Sequence, residues 1–219
     1  MEDTKKTTDK VNSRHKCSSI SQDAKYLESH NKESEIHPDD FDALYERGVF
    51  LDKLGRYEEA VASYSKALEL VPDSPHAWYN RGNALYELEL YEEAITSYDK
   101  ALALDPEDAD AWINRGSALY ELEKYEEAFT SYDKALALDL DDADAWINRG
   151  NALHDLGRYE KAVAFYDKAL EFKSDSPHAW YNRGLCFQEL GREDMPNHGE
   201  SIASYVLKRL MWDYQTIHS

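Results

Sequence analysis

Residues 78–106 read WYNRGNALYELELYEEAITSYDKALALDP, and nearly the same string returns from Trp112 and again from Trp146. Trp78, Trp112, Trp146 and Trp180 stand 34 residues apart, and Leu44 lies one period further upstream. A repeat of this length with two helix-sized halves predicts a solenoid. One such unit cannot bury its apolar faces alone, and stacking on neighbours completes the core.

The residues inside one period give the reason the unit folds. Trp78, Gly82, Leu85 and Leu88 recur at three- and four-residue steps, which places them along one stripe of a helix. Tyr91, Ala94, Ile95, Tyr98, Ala101 and Leu102 form a second stripe. Gly82 and Ala94 let the two helix axes approach closely, with Trp78 and Tyr98 expected to fill the space beside them, and Ala101 is expected to serve the same end against the next unit. Pro106 ends the second helix, because proline has no amide hydrogen to continue the ladder and restricts the residue before it. The two halves meet at a short turn, LGR at residues 54–56 and again at 156–158, where glycine can take a left-handed dihedral. The middle copies carry LEL and LEK at that turn instead.

This pattern resembles the tetratricopeptide repeat family, whose positions are filled here by Trp78, Gly82, Leu85, Ala94, Tyr98, Ala101 and Pro106. The next copies supply Trp112, Gly116, Leu119, Ala128, Tyr132 and Ala135, then Trp146, Gly150, Leu153, Ala162, Tyr166 and Ala169. The first copy supplies Leu44, Gly48, Leu51, Ala60, Tyr64, Ala67 and Pro72. The resemblance covers roughly residues 41 to 190 and implies an all-α fold, a right-handed superhelical α-solenoid of antiparallel helix pairs. Leu140 and Ser174 replace the terminal proline, so those two junctions are expected to end less sharply.

Along the chain, residues 1–20 are a polar tail expected to be disordered. Residues 21–40 are a short helix or linker, an eroded half-repeat whose Pro38 falls one period before Pro72. Four units follow at 41–74, 75–108, 109–142 and 143–176. An irregular fifth, at 177–214, loses register at EDMPNHG and ends in a capping helix from about Glu200 to Trp212.

The formal charge is −19, with 44 acidic against 25 basic residues, which argues against binding the phosphate backbone of a nucleic acid. No apolar run is long enough to span a bilayer, and no secretory signal opens the chain. Cys17 and Cys186 make no disulfide framework, and Cys186 takes an offset filled by Ala84, Ala118 and Ala152, so it is read as a small buried residue. A cytoplasmic location is the expectation.

In the family the first helix of each unit lines the inner, concave wall. There Asn80, Asn114, Asn148 and Asn182 recur two residues after each Trp. A carboxamide both donates and accepts, so a row of them can hold a peptide main chain without regard to its side chains. The row is similar to the asparagine ladder of the O-linked N-acetylglucosamine transferase repeats, although nothing of that enzyme's catalytic part is present. The competing reading is that these asparagines brace neighbouring helices. Asn83 and Asn151 lie three residues on, with Ser117 between them in the series, and Tyr79, Tyr86, Tyr120 and His154 complete the wall. Glu87, Glu121, Asp155 and Glu189 flank it and favour a partner with basic residues. The lysines of the family's carboxylate clamp are replaced by Tyr79 or Ile113 and by His76 or Asp110, so capture of a C-terminal carboxylate is not expected. Arg47, Arg81, Arg115, Arg149 and Arg183 precede each motif glycine, and each is read as laying its stem over an apolar contact while its guanidinium meets a carboxylate of the adjoining unit.

No catalytic ordering or phosphate loop is visible, the acidic turns lack the glycine and final glutamate of a calcium loop, and Asp110 and Asp144 instead favour helix starts through the dipole. His76 and His178 are three periods apart and cannot share a metal. The expectation is therefore a non-catalytic adaptor without metal or cofactor, binding an extended peptide segment of a partner protein, with no nucleic acid and no membrane. It would be a monomer or weak homo-oligomer. The rival is a self-associating scaffold that uses the C-terminal helix, with Trp212, Tyr214 and Ile217 as its contacts.

Overall fold

The computed structural model describes residues 40–191. The expected tail, the segment before residue 40, the EDMPNHG insertion and the C-terminal helix with Trp212, Tyr214 and Ile217 lie outside the described residues. Among those described, the chain is all-α, with nine helices and no strand, and consecutive helices pack as pairs. The fold class is the all-α solenoid of helix pairs that the periodicity predicts. Contacts divide the chain at residues 105 and 106 into two compact units.

The first unit holds α1 (Phe41–Lys53), α2 (Tyr57–Leu70), α3 (Pro75–Glu87) and α4 (Tyr91–Leu104). Leu51, Ala60, Tyr64 and Ala84 form its central cluster, with Tyr45, Val49, Tyr57 and Val61 packed against it. The second unit holds α5 (Ala109–Glu121), α6 (Tyr125–Leu138), α7 (Ala143–Asp155), α8 (Tyr159–Phe172) and α9 (Pro177–Glu189). Its core is built on Leu136, Ala145, Trp146, Leu153, Tyr166 and Leu170, and includes Cys186, which has no exposed surface. Burial pushes the Cys186 thiol up to about 12, so it stays protonated and packs as a small apolar group.

Within each pair the close approach is made by glycine and tyrosine. A Cβ placed on Gly82 would stand 2.6 Å from the Tyr98 ring, and one on Gly150 would stand 2.6 Å from that of Tyr166, so the ring takes the place a side chain would fill on the first helix. The tryptophan does something more than the space-filling expected of it. Trp78, Trp112 and Trp180 are only partly buried, and each indole N–H donates to the carbonyl six residues upstream, at Pro72, Pro106 and Ser174. Trp146 does the same to Leu140 at 2.9 Å. The indole thus closes the turn that precedes its helix. This explains why α6 and α8, which lack the terminal proline, are each 14 residues long, as α2 and α4 are. The expected blurring of those two junctions does not occur, because the acceptor is a backbone carbonyl that any residue supplies.

Helix starts are set by polar side chains. Asp40, Ser74, Asp108, Asp142 and Ser176 cap α1, α3, α5, α7 and α9 by accepting from backbone N–H groups of the first turn. The second helices have no such cap, but Glu58 and Glu59 in α2 and their counterparts in α4 and α6 place negative charge at the positive end of the dipole. The turn between the helices of a pair needs one left-handed residue. Gly55 and Gly157 supply it at φ 70° and 69°, and Glu89 and Glu123 are held there at 59° and 57°. No helix among the described residues is long and apolar enough to cross a membrane.

Candidate functional site

The first helices carry the asparagines expected to line a wall, and in the first unit those side chains are partly spent on their neighbours. Asn80, on α3, donates from Nδ2 to the Tyr45 hydroxyl on α1 at 2.9 Å. Asn83 accepts from the Tyr98 hydroxyl at 2.9 Å. Tyr79 lies tilted 6.2 Å from the Tyr98 ring, and Tyr86 meets Tyr91 edge-on at 5.3 Å.

In the second unit the chemistry gathers in one place. Asn151, His154 and Asp155 on α7 face Tyr120 on α5 and Asn182 with Leu185 on α9, around a hollow of about 150 Å³ whose floor includes Tyr166. Asn151 Oδ1 accepts twice, from the Tyr166 hydroxyl and from Asn182 Nδ2, both at 2.8 Å. The Tyr120 hydroxyl donates to Asp155 Oδ2. His154 Nδ1 lies 2.9 Å from Asp155 Oδ1, and because a carboxylate brings no hydrogen to that contact the imidazole is the donor. Burial, then the bond to Asp155, push the Tyr120 phenol well above its ordinary range, which keeps its proton in place. Burial does the same to Tyr166.

Four of the expected residues, Tyr120, Asn151, His154 and Asn182, therefore meet at one hollow. Asn114 and Asn148 are half-buried on α5 and α7 and do not line it. Asp155 was expected only as a flanking charge, and Tyr166 only as packing. Their role at the hollow depends on how one pair lies against the next, which the period does not specify. Of the motif arginines, Arg149 and Arg183 pair with Asp133 and Asp167 at 2.6 Å while lying over Trp146 and Phe165, and over Trp180 and Phe187, which is the arrangement the sequence suggests. Arg47, Arg81 and Arg115 donate to Ser63, Ser97 and Ser131 on the second helix of their own pair. No group of three or more residues suited to a metal occurs among the described residues.

A family model described as tetratricopeptide repeat matches residues 25–75, 52–109 and 79–139, and a second with that description matches 131–164. A model described as TPR repeat matches 150–191. Among solved structures the chain is similar to YrrB, described as a TPR protein with an unusual peptide-binding site, at 27% identity, covering 77% of this chain and 87% of that one, with a TM-score of 0.66. It is similar to MamA at 25% identity, covering 70% and 84%, with a TM-score of 0.68. It is also similar to the first TPR of Spaghetti (RPAP3) bound to the HSP90 peptide SRMEEVD, at 28% identity, covering 53% and 93%, with a TM-score of 0.52. The comparison with curated proteins gives no match.

Proposed function

The chain belongs to the tetratricopeptide repeat family, and from that membership we propose that it is a non-catalytic adaptor holding an extended peptide segment of a partner protein. The segment lies along the first helices α5, α7 and α9 of the second unit. The observation that carries this is the convergence of Tyr120, Asn151, His154 and Asn182 on one hollow. A surface of this kind, with rings that end in polar atoms and carboxamides that offer donor and acceptor together, suits a wet, main-chain-directed interface. The peptide-binding descriptions of YrrB and of the Spaghetti domain support the same reading. In it, Asn114, Asn148 and Asn182 bond the partner's main chain, Tyr120 and His154 meet its side chains, and the acidic balance of −19 favours a basic segment. The four units at 41–74, 75–108, 109–142 and 143–176 are its repeats, and the cytoplasm is its compartment.

The test is selection of random dodecapeptides displayed on phage against the full chain, followed by affinity measurement on synthetic winners. The Asn114→Ala, Asn148→Ala double variant should bind those peptides at least tenfold more weakly while keeping its helicity and melting temperature. Selection that enriches no peptide would overturn the reading, and winners that bind the double variant as tightly as the parent would remove Asn114 and Asn148 from it.

A further inference from the structure

The hollow of the second unit has a chemical polarity of its own. Its hydroxyls and the His154 ring donate inward, Tyr166 to Asn151 and Tyr120 and His154 to Asp155, and one N–H of Asn182 does the same to Asn151. Around Asp155 what remains is acceptor capacity. A carboxylate has about four lone-pair sites, of which Asp155 uses one on each oxygen. Tyr120 keeps a lone pair after donating. With Nδ1 carrying the proton, His154 Nε2 in the neutral ring is a bare acceptor, and Asn182 Oδ1 is one too. Neither lysine nor arginine lines the hollow. A volume of about 150 Å³ holds a few waters at roughly 30 Å³ each. It falls well short of the roughly 300–1,000 Å³ of ordinary small-molecule sites. It is the size for one side chain.

We propose that this hollow takes the guanidinium of an arginine in the bound segment, with Asp155 as its counter-charge and Tyr120, His154 and Asn182 as further acceptors. The inference rests on the peptide-binding reading above and adds to it a residue type at a fixed register. Arginine fits better than its alternatives for stated reasons. It brings five donors and no acceptor, which complements the acceptors grouped around Asp155. Its planar fork can engage both oxygens of Asp155 at once, where the ammonium of lysine acts as a point charge. An acidic side chain would set like charges against each other, and an apolar one would leave the Asp155 carboxylate without a counter-charge. Leu185 supplies the apolar contact against which an arginine stem can lie.

The experiment runs the same phage selection in parallel on the parent chain and on Asp155→Asn, which keeps the shape and the acceptor oxygen for Tyr120 but loses the charge. Peptides selected by the parent should share an arginine at one position. Replacing that arginine by citrulline, its neutral isostere, should weaken binding more than tenfold, and replacing it by lysine about threefold or more. Asp155→Asn should still select peptides but without the arginine, and Tyr120→Phe should give a smaller loss in the same direction. Circular dichroism of both variants guards against a folding defect. Peptides enriched without arginine, or citrulline tolerated at the parent, would overturn this inference and leave the peptide-binding reading intact. Selection that enriches no peptide at all would overturn both.

Discussion

The two units are built from the same repeat, yet equivalent positions in them are solved with different chemistry. In the first unit, Asp52 and Glu87 put two carboxylates within electrostatic reach, and the Asp52 carboxyl is raised, by burial first and Glu87 second. Two periods on, the same offsets hold Tyr120 and Asp155, joined by a hydrogen bond. Asn80 finds the Tyr45 hydroxyl, whereas Ile113 and Ile147 stand at that offset in the second unit and leave Asn182 to bond Asn151. Arg81 reaches Ser65 and Ser97, whereas Arg149 meets Asp133 and Phe165 at the equivalent places. The lesson is that helix packing is held by a few fixed positions, the glycine against the tyrosine above all. The polar seams between helices differ from one unit to the other, and the hollow of the second unit lies on one of them.

The sharpest way to break that comparison is to attack what the units share. Gly82→Ala and Gly150→Ala each press a methyl group into a tyrosine ring, and each should cost about 3 kcal/mol in urea unfolding. Unequal costs would mean that the close approach is not the common element. Next, Phe165→Ser gives the second unit the hydroxyl that Ser97 supplies in the first. It removes a ring that stacks on Trp146 and underlies Arg149, and should cost about 2 kcal/mol. A neutral outcome would show the two arginine seams to be interchangeable.

Smaller effects sharpen the picture. Glu89→Gly and Glu123→Gly relieve a left-handed residue, one in each unit, and should each raise stability by about 1 kcal/mol, offsetting the entropy that glycine loses. The smallest effect separates the units by pH. Because the folded Asp52 carboxyl is raised, its contribution to stability is full below its unfolded range near about pH 4 and is lost as pH rises through the higher folded value. Asp52→Asn removes that loss. It should match the parent at about pH 3 and exceed it by about half a kcal/mol at neutral pH, a gain that salt diminishes. A variant less stable than the parent at neutral pH would contradict the sign.

What is legible in the sequence is whatever depends on contacts inside one period. The stripe of Gly82, Leu85, Ala94 and Tyr98 fixes how two helices of a pair meet, because those residues are a short distance apart in the chain and recur. The Asp and Ser caps at 34-residue spacing are equally readable, though the eye goes to Asp110 and Asp144, which stand in the first turn and leave the capping bond to Asp108 and Asp142. The hollow is less legible. Tyr120 and Asp155 are 35 residues apart and belong to different pairs, so their bond depends on how one pair is rotated on the next. Asn80, Asn83 and Asn151 were placed on the right helices, but a sequence does not say which of their polar groups a neighbouring hydroxyl will occupy.

The indole bond to an upstream carbonyl has an evolutionary consequence. Since the acceptor belongs to the main chain, positions 72, 106, 140 and 174 are free to drift from proline to leucine or serine without loosening the joint. A gene segment encoding one pair can then be copied or deleted as a cassette, needing only a tryptophan at its leading edge to be spliced onto whatever precedes it.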